Sequence, residues 1–149
     1  RWMEEAPMKL SAVLAAKGNR VFTITPGATI ADAVAMLAEN NIGALIVTAI
    51  DGLPVGMLSE RDIIRRLSDG PGVLTELVSD LMTSPVTSGT SNDDADSVLQ
   101  TMTSKRFRHL PVVDHDELVG MVTIGDLVKS ELLEFRGAVA TLETRLMDA

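Results

Sequence analysis

The sequence predicts an α/β (α+β) fold: two β-α-β-β-α repeats packed sheet to sheet with pseudo-twofold symmetry, plus N-terminal and C-terminal helices. Three observations carry that expectation. One phrase is written twice, as Val55-Gly56-Met57-Leu58-Ser59-Glu60-Arg61-Asp62-Ile63-Ile64 and as Val119-Gly120-Met121-Val122-Thr123-Ile124-Gly125-Asp126-Leu127-Val128. Continuous aliphatic runs that suit buried strands alternate with stretches of helical apolar spacing. Finally, 149 residues suffice for one ordinary domain while either half alone is too small to stand comfortably, so the two copies must pack together.

Leu10, Val13 and Leu14 share one face of a helix over 9–17, and Gly18 suits its stop. Val21 to Ile24 reads as a short strand and Pro26-Gly27 as a turn. Thr29 with Asp32 forms a capping-box start to a helix whose Ile30, Ala33, Val34 and Leu37 share a face. The aliphatic run from Ile42 to Thr48 predicts a strand covered on both sides. A turn at Asp51-Gly52 leads to a strand over Val55 to Leu58, and Ser59 opens a helix bearing Ile63, Ile64 and Leu67.

Ser68 to Gly72 is the linker, after which the order repeats. A lead-in helix over Val73 to Met82 precedes a strand at Pro85 to Thr87 and a cap at Ser91 to Asp94. Ala95, Val98, Leu99 and Met102 then repeat the helix face, Leu110 to Val113 and Leu118 to Val122 are the paired strands, and Asp126 begins the last helix. An apolar stripe from Leu127 to Leu146 along that helix suits packing on the body or on a second subunit, and Gly137 is the place for a break. The divisions are a segment over 1–20, repeats over 21–67 and 79–132 joined by a linker at 68–78, and a C-terminal helix over 133–149.

Hydrophobic residues make up 46% of the chain and aromatics only 3%, so the core must be aliphatic. The formal net charge of -8 opposes nucleic acid or an anionic membrane as the main partner. No apolar stretch approaches the ~20 residues of a membrane helix, and nothing before Lys9 looks like a signal peptide. The lack of cysteine removes disulfides, thiolate metal sites and thiol nucleophiles, and it fits a cytoplasmic setting. No G-x-S-x-G, P-loop, G-x-G-x-x-G or H-E-x-x-H pattern supports an enzyme. Asp114-His115-Asp116-Glu117 reads as a hairpin loop with diverging side chains rather than as a metal site.

What remains is the hydroxyl-x-x-Asp ending of each copy. A helix N-terminus offers unpaired N–H groups and the positive end of its dipole to phosphate, and Ser59 or Thr123 adds a hydroxyl. One turn inward, Asp62 or Asp126 has the charge to accept hydrogen bonds from both hydroxyls of a ribose. The same spacing also makes an ordinary capping box, so ligand contact and simple capping are both open. The copies differ in charge: Arg61 stands where the second has Gly125, and Lys105, Arg106, Arg108 and His109 stand where the first has Asn40, Asn41, Gly43 and Ala44. Either cations of the second half serve phosphates anchored in the first, or they are solvated groups at a strand end.

The repeat, the Met82-Thr83 entry to the second half and the Phe107-Arg108-His109-Leu110-Pro111-Val112-Val113 strand together resemble a tandem pair of CBS (cystathionine β-synthase) domains, a Bateman module. The resemblance covers Val21 to Leu67 and Ser79 to Leu132. It implies a non-catalytic regulatory module holding an adenine nucleotide or dinucleotide (AMP, ADP, ATP, NAD(H)) or S-adenosylmethionine in the cleft between the repeats. The ribose-and-phosphate pattern of the family falls on Gly56, Ser59 and Asp62, and on Gly120, Thr123 and Asp126. Further ligand contacts are implied for Arg61, Thr83, Val86, Arg108, His109, Pro111 and Gly125. A homodimer and a regulated enzyme or transporter on another chain are implied as partners, with no catalytic cofactor. The competing expectation is a constitutive dimerisation scaffold without a ligand, which has no need of the Ser59/Asp62 and Thr123/Asp126 pairs.

Overall fold

A computed structural model of the chain describes residues 8–147; Trp2 and the rest of 1–7 lie outside the described residues, as do 148–149. In the first half, β1 (Thr23–Ile24), β2 (Ala44–Thr48) and β3 (Pro54–Ser59) form a sheet in that order. β1 is parallel to β2 because α2 (Ile30–Asn40) crosses between them, and the turn that follows β2 returns β3 antiparallel. Gly52 adopts φ +82°, the left-handed conformation this turn demands and glycine accepts freely. Every residue of β2 is buried, as an aliphatic strand covered on both faces requires. Only Thr23 and Ile24 of the expected Val21–Ile24 strand are regular, although the Phe22 carbonyl still accepts the Ile46 N–H at 3.1 Å. α3 (Glu60–Leu67) follows β3 without a linking residue.

The second half departs from the expected copy. α5 (Ala95–Lys105) is capped by Asp94, whose carboxylate accepts the Ser97 N–H at 2.9 Å, and not by Ser91, whose N–H goes to Asp114. β4 (His109–Asp114) and β5 (Glu117–Thr123) pair through a turn in which His115 and Asp116 both have positive φ, the geometry of a tight hairpin. Among the described residues no group of acidic or histidine side chains is placed to hold a metal ion. The strand expected at Pro85–Thr87 is absent. Pro85 has no N–H for a ladder, and the segment pairs only further on, where Gly89 bridges Val112. α6 begins at Ile124 rather than Asp126 and runs unbroken to Met147. Gly137 does not break it; a penalty of about 1 kcal/mol is small against a helix of this length.

The lead-in expected as one helix over 73–82 is two pieces, a 3₁₀ turn (Pro71–Thr75) and α4 (Val78–Leu81). Its extended break at Glu76-Leu77 has a purpose: the Glu76 carbonyl accepts the Ile30 N–H, an otherwise unpaired donor at the start of α2. Around it, Val78 N–H donates to the Ala28 carbonyl and Ser79 N–H to Pro26. The same three bonds recur in the other half. There the Met8 carbonyl accepts from Ala95, Leu10 donates to Asp93 and Ser11 donates to Ser91, at the start of α1 (Leu10–Lys17).

The lead-ins are therefore exchanged. α1 precedes the first half but contributes Leu10, Val13 and Leu14 to the core of the second, with Met102, Val112, Val122 and Leu127. Val73 and Val78 precede the second half but complete the core of the first, with Ile30, Leu45, Val47 and Leu58. No helix among the described residues is long and apolar enough to cross a membrane. Because Leu10 is fully buried, Leu10→Ala should destabilise the protein by about 2–5 kcal/mol in urea unfolding. An unchanged midpoint would remove α1 from the core.

Candidate functional site between the two halves

The two repeated endings fold alike. Ser59 caps α3, its Oγ accepting the Asp62 N–H at 3.2 Å, while Asp62 accepts the Ser59 N–H and hydroxyl at 2.9 Å each. Thr123 and Asp126 make the same reciprocal pair at the start of α6, at 2.9 and 3.1 Å. The capping box is thus present in both corners. Their surroundings differ, and the difference decides what each can do.

The Ser59/Asp62 corner opens onto a cleft of about 670 Å³ whose walls come from both halves. The first half contributes Ser59, Glu60, Arg61 and Asp62; the second contributes the chain from Lys105 to His109; Thr83 and the stretch from Pro85 to Thr87 pass between them. Thr83 is held there by exchanging backbone hydrogen bonds with Met57 at 2.8 and 3.0 Å. Arg108 and Gly43 are equivalent by register, since their carbonyls accept the first helical N–H of α6 and α3 respectively, at 3.1 and 2.9 Å. A Cβ on Gly43 would meet only the end of the exposed Glu60 side chain, at 3.3 Å, so the first half has a glycine where the second supplies an arginine without strict steric need. Arg106 caps α5 in the left-handed conformation that Asn41 adopts after α2. Among the described residues Arg61, Lys105, Arg106 and Arg108 form no ion pair. Four cations without a carboxylate partner around one cleft, on a chain of net charge -8, make an anion-receiving wall.

The Thr123/Asp126 corner is already filled. Lys17, the last residue of α1, donates to the Asp126 carboxylate and, at 2.9 Å, to the Met121 carbonyl. In the first half the equivalent carbonyl, that of Met57, takes the Thr83 N–H instead. Burial, the largest influence on Asp126, pushes its carboxyl up, but the Lys17 ammonium and the Thr123 bonds outweigh it and hold it below the usual range.

A sequence model of the CBS domain matches this chain twice, over residues 18–69 and 78–132. The chain belongs to the CBS domain family. It is 34% identical over 124 residues to the CBS domain-containing protein YhcV of Bacillus subtilis, spanning 83% of this chain and 87% of that one. The crystal structure of the CBS-domain protein ATU1752 of Agrobacterium tumefaciens superposes with a TM-score of 0.78 at 35% identity, over 83% of this chain and 98% of that one. At 24% identity, where only the fold is shared, stand the CBS pair of MJ0100 in complex with 5′-methylthioadenosine and S-adenosyl-L-methionine (TM-score 0.73, over 88% and 99%) and CBSX2 in complex with AMP (TM-score 0.69, over 84% and 96%). This chain has the fold of such a CBS pair, a Bateman module.

Of the residues singled out from the sequence, this CBS pair brings Ser59, Arg61, Asp62, Thr83, Val86, Arg108 and His109 to one cleft. Thr123, Gly125 and Asp126 lie at the other corner, beside Lys17, and Pro111 is buried within β4. Lys105, Arg106, Phe107, Met57 and Thr87 also line the cleft and were not singled out as ligand contacts. Charge marked Lys105 and Arg106, but nothing local separates a cleft lysine from a solvated one. Lys17 gives no signal at all, because its partner is far along the chain.

His109 is half-buried, paired through its backbone with Thr123, and its imidazole pKa lies below the ordinary 6.5. Burial is the main cause, helped by Arg108 and Lys17 and opposed by Asp126 and Asp62. The denatured chain therefore takes up this proton at a higher pH than the native one. Its contribution to stability is full above pH 6.5 and is lost as the pH falls through and below it. Urea midpoints recorded from pH 7.5 to 5 should decline more steeply for wild type than for His109→Gln. Parallel profiles would remove His109 from this role.

Proposed function

We propose that this CBS pair is a non-catalytic regulatory module that binds an adenine nucleotide or dinucleotide, of the AMP, ATP or NAD(H) class, in the cleft bounded by Ser59, Asp62 and Arg108. One observation carries this reading: a ribose-type carboxylate at a helix N-terminus in the first half faces unpaired cations from the second across a single cleft. Asp62 accepts the two ribose hydroxyls, releasing Ser59 from the cap. Ser59 and the α3 N-terminus then receive the first phosphate, and Arg61, Arg106 and Arg108 neutralise it and those beyond. The AMP complex of CBSX2 and the adenosine compounds bound to MJ0100 support this ligand class. The module acts as a homodimer in the cytoplasm and reports occupancy to an enzyme or transporter on another chain.

Thermal unfolding with AMP, ADP, ATP, NAD, NADH, NADP and S-adenosylmethionine tests the reading. A ligand at ~100 times its dissociation constant adds about 2.7 kcal/mol, several degrees in midpoint. Asp62→Ala should abolish the shift, whereas Asp126→Ala should not, and NADP should shift less than NAD because its 2′-phosphate meets the Asp62 carboxylate. Equal shifts in wild type and Asp62→Ala would refute the assignment.

The second corner offers no such site while Lys17 holds it, so the stoichiometry is one nucleotide per chain. In calorimetric titration with the ligand that gives the largest shift, wild type should saturate at one equivalent and Lys17→Ala should admit a second, weaker one. Two equivalents on wild type would show that Lys17 is readily displaced.

A further inference from the structure

The C-terminal helix carries a feature that nucleotide binding does not use. Leu127, in its first turns, is the one fully buried residue of α6. Beyond it, Val128, Leu132, Phe135, Val139, Leu142 and Leu146 follow one another at alternating steps of four and three residues. That spacing fits a coiled-coil seam, and exposure decides between such a seam and a face laid on the body. The seam faces away from the protein's own body: Phe135 is 63% and Leu146 76% exposed, Val128, Leu132 and Val139 are also exposed, and Leu142 is half-buried. An apolar row of this length needs a partner.

We infer that the partner is α6 of a second copy, and that the two helices pair antiparallel. The flanking charges select this orientation. With Phe135 of one chain in the same layer as Val139 of the other, Val128 meets Leu146 and Leu132 meets Leu142, so the whole seam is covered. The positions beside the seam then pair Glu131 with Arg145 and Lys129 with Glu143, each twice by symmetry. One like-charged meeting remains, Arg136 with its own copy. A parallel pair would match only Glu131 with Arg136, and would leave Lys129, Glu143 and Arg145 without opposite-charge partners across the seam. This seam gives the homodimer a specific geometry and is independent of any nucleotide.

Two experiments decide it, both on the full chain. In sedimentation velocity the wild type should be a dimer, and Leu132→Glu with Val139→Glu should be a monomer of unchanged helicity, since neither side chain is buried. The lack of native cysteine makes single-cysteine variants unambiguous reporters of orientation. Under oxidation, a mixture of Phe135→Cys and Val139→Cys should give the mixed disulfide, because antiparallel pairing places these positions side by side, and Val139→Cys alone should give little product. Self-cross-linking of Val139→Cys above that of the mixture would establish a parallel pair and overturn the inference. A monomeric wild type, which would leave the stripe to another protein or a lipid surface, would also overturn it, as would a dimer that survives the two glutamates.

Discussion

The structure depends on backbone hydrogen bonds that cross between the halves at the starts of α2 and α5. A helix leaves its first N–H groups unpaired, and here the leading one in each case is met by a carbonyl from the exchanged lead-in: Glu76 for Ile30, and Met8 for Ala95. Those bonds fix where α1 and α4 lie, and with them which aliphatic side chains close which core. The second half closes its core with α1, which lies before the first half, and the first closes its own with Val73 and Val78 of the segment that leads into the second.

The same exchange makes the two corners unequal. Gly56 and Gly120 are equivalent, and each is covered by the lead-in that crosses over it: Met82 and Thr83 on Gly56, Leu14 on Gly120. In both, a Cβ would stand within 3.0 Å of its cover, so glycine is what lets the lead-in approach. But α4 ends at Leu81, and the chain passes on as an extended wall whose Thr83 pairs with Met57. α1 instead continues to Lys17, and the ammonium takes both the Met121 carbonyl and the Asp126 carboxylate. One difference in helix length separates an open carboxylate from a neutralised one.

Much of this was legible in the sequence, and the residues show where legibility ended. The repeat located β3 with α3 and β5 with α6, because hydroxyl-x-x-Asp after an apolar strand is a local signal of a helix start. β2 was legible because a strand buried on both faces is continuously aliphatic. The Pro85–Thr87 strand failed because β-branched residues suggest a strand, while the ladder it needs depends on an N–H that proline lacks. The break at Glu76 failed for the opposite reason: nothing in 73–82 forbids a helix, and only α2's need for a carbonyl interrupts it. The Lys17–Asp126 contact and the exchange of α1 are tertiary facts between remote residues, beyond the reach of periodicity. The stripe on α6 was visible, but only exposure distinguishes a surface laid on the body from a seam awaiting a second copy.

The position of Arg108 ties the cleft to α6. Its guanidinium belongs to the cleft wall, and its carbonyl accepts the N–H of Ile124, the first residue of α6. Burial is the main influence on the next residue, His109, and charged groups of both corners, Asp62 and Asp126 with Lys17, act on it more weakly. A ligand can shift a conformational balance only by the difference in its affinity for the two states. Here that difference has a physical place to act. In the proposed function, anionic charge accepted by Arg108 would bear on a residue bonded through its backbone to the root of the helix that carries the exposed stripe. A scaffold would need the seam alone. In the proposed function, the cationic wall, the open Asp62 corner and the neutralised Asp126 corner are what a sensor adds.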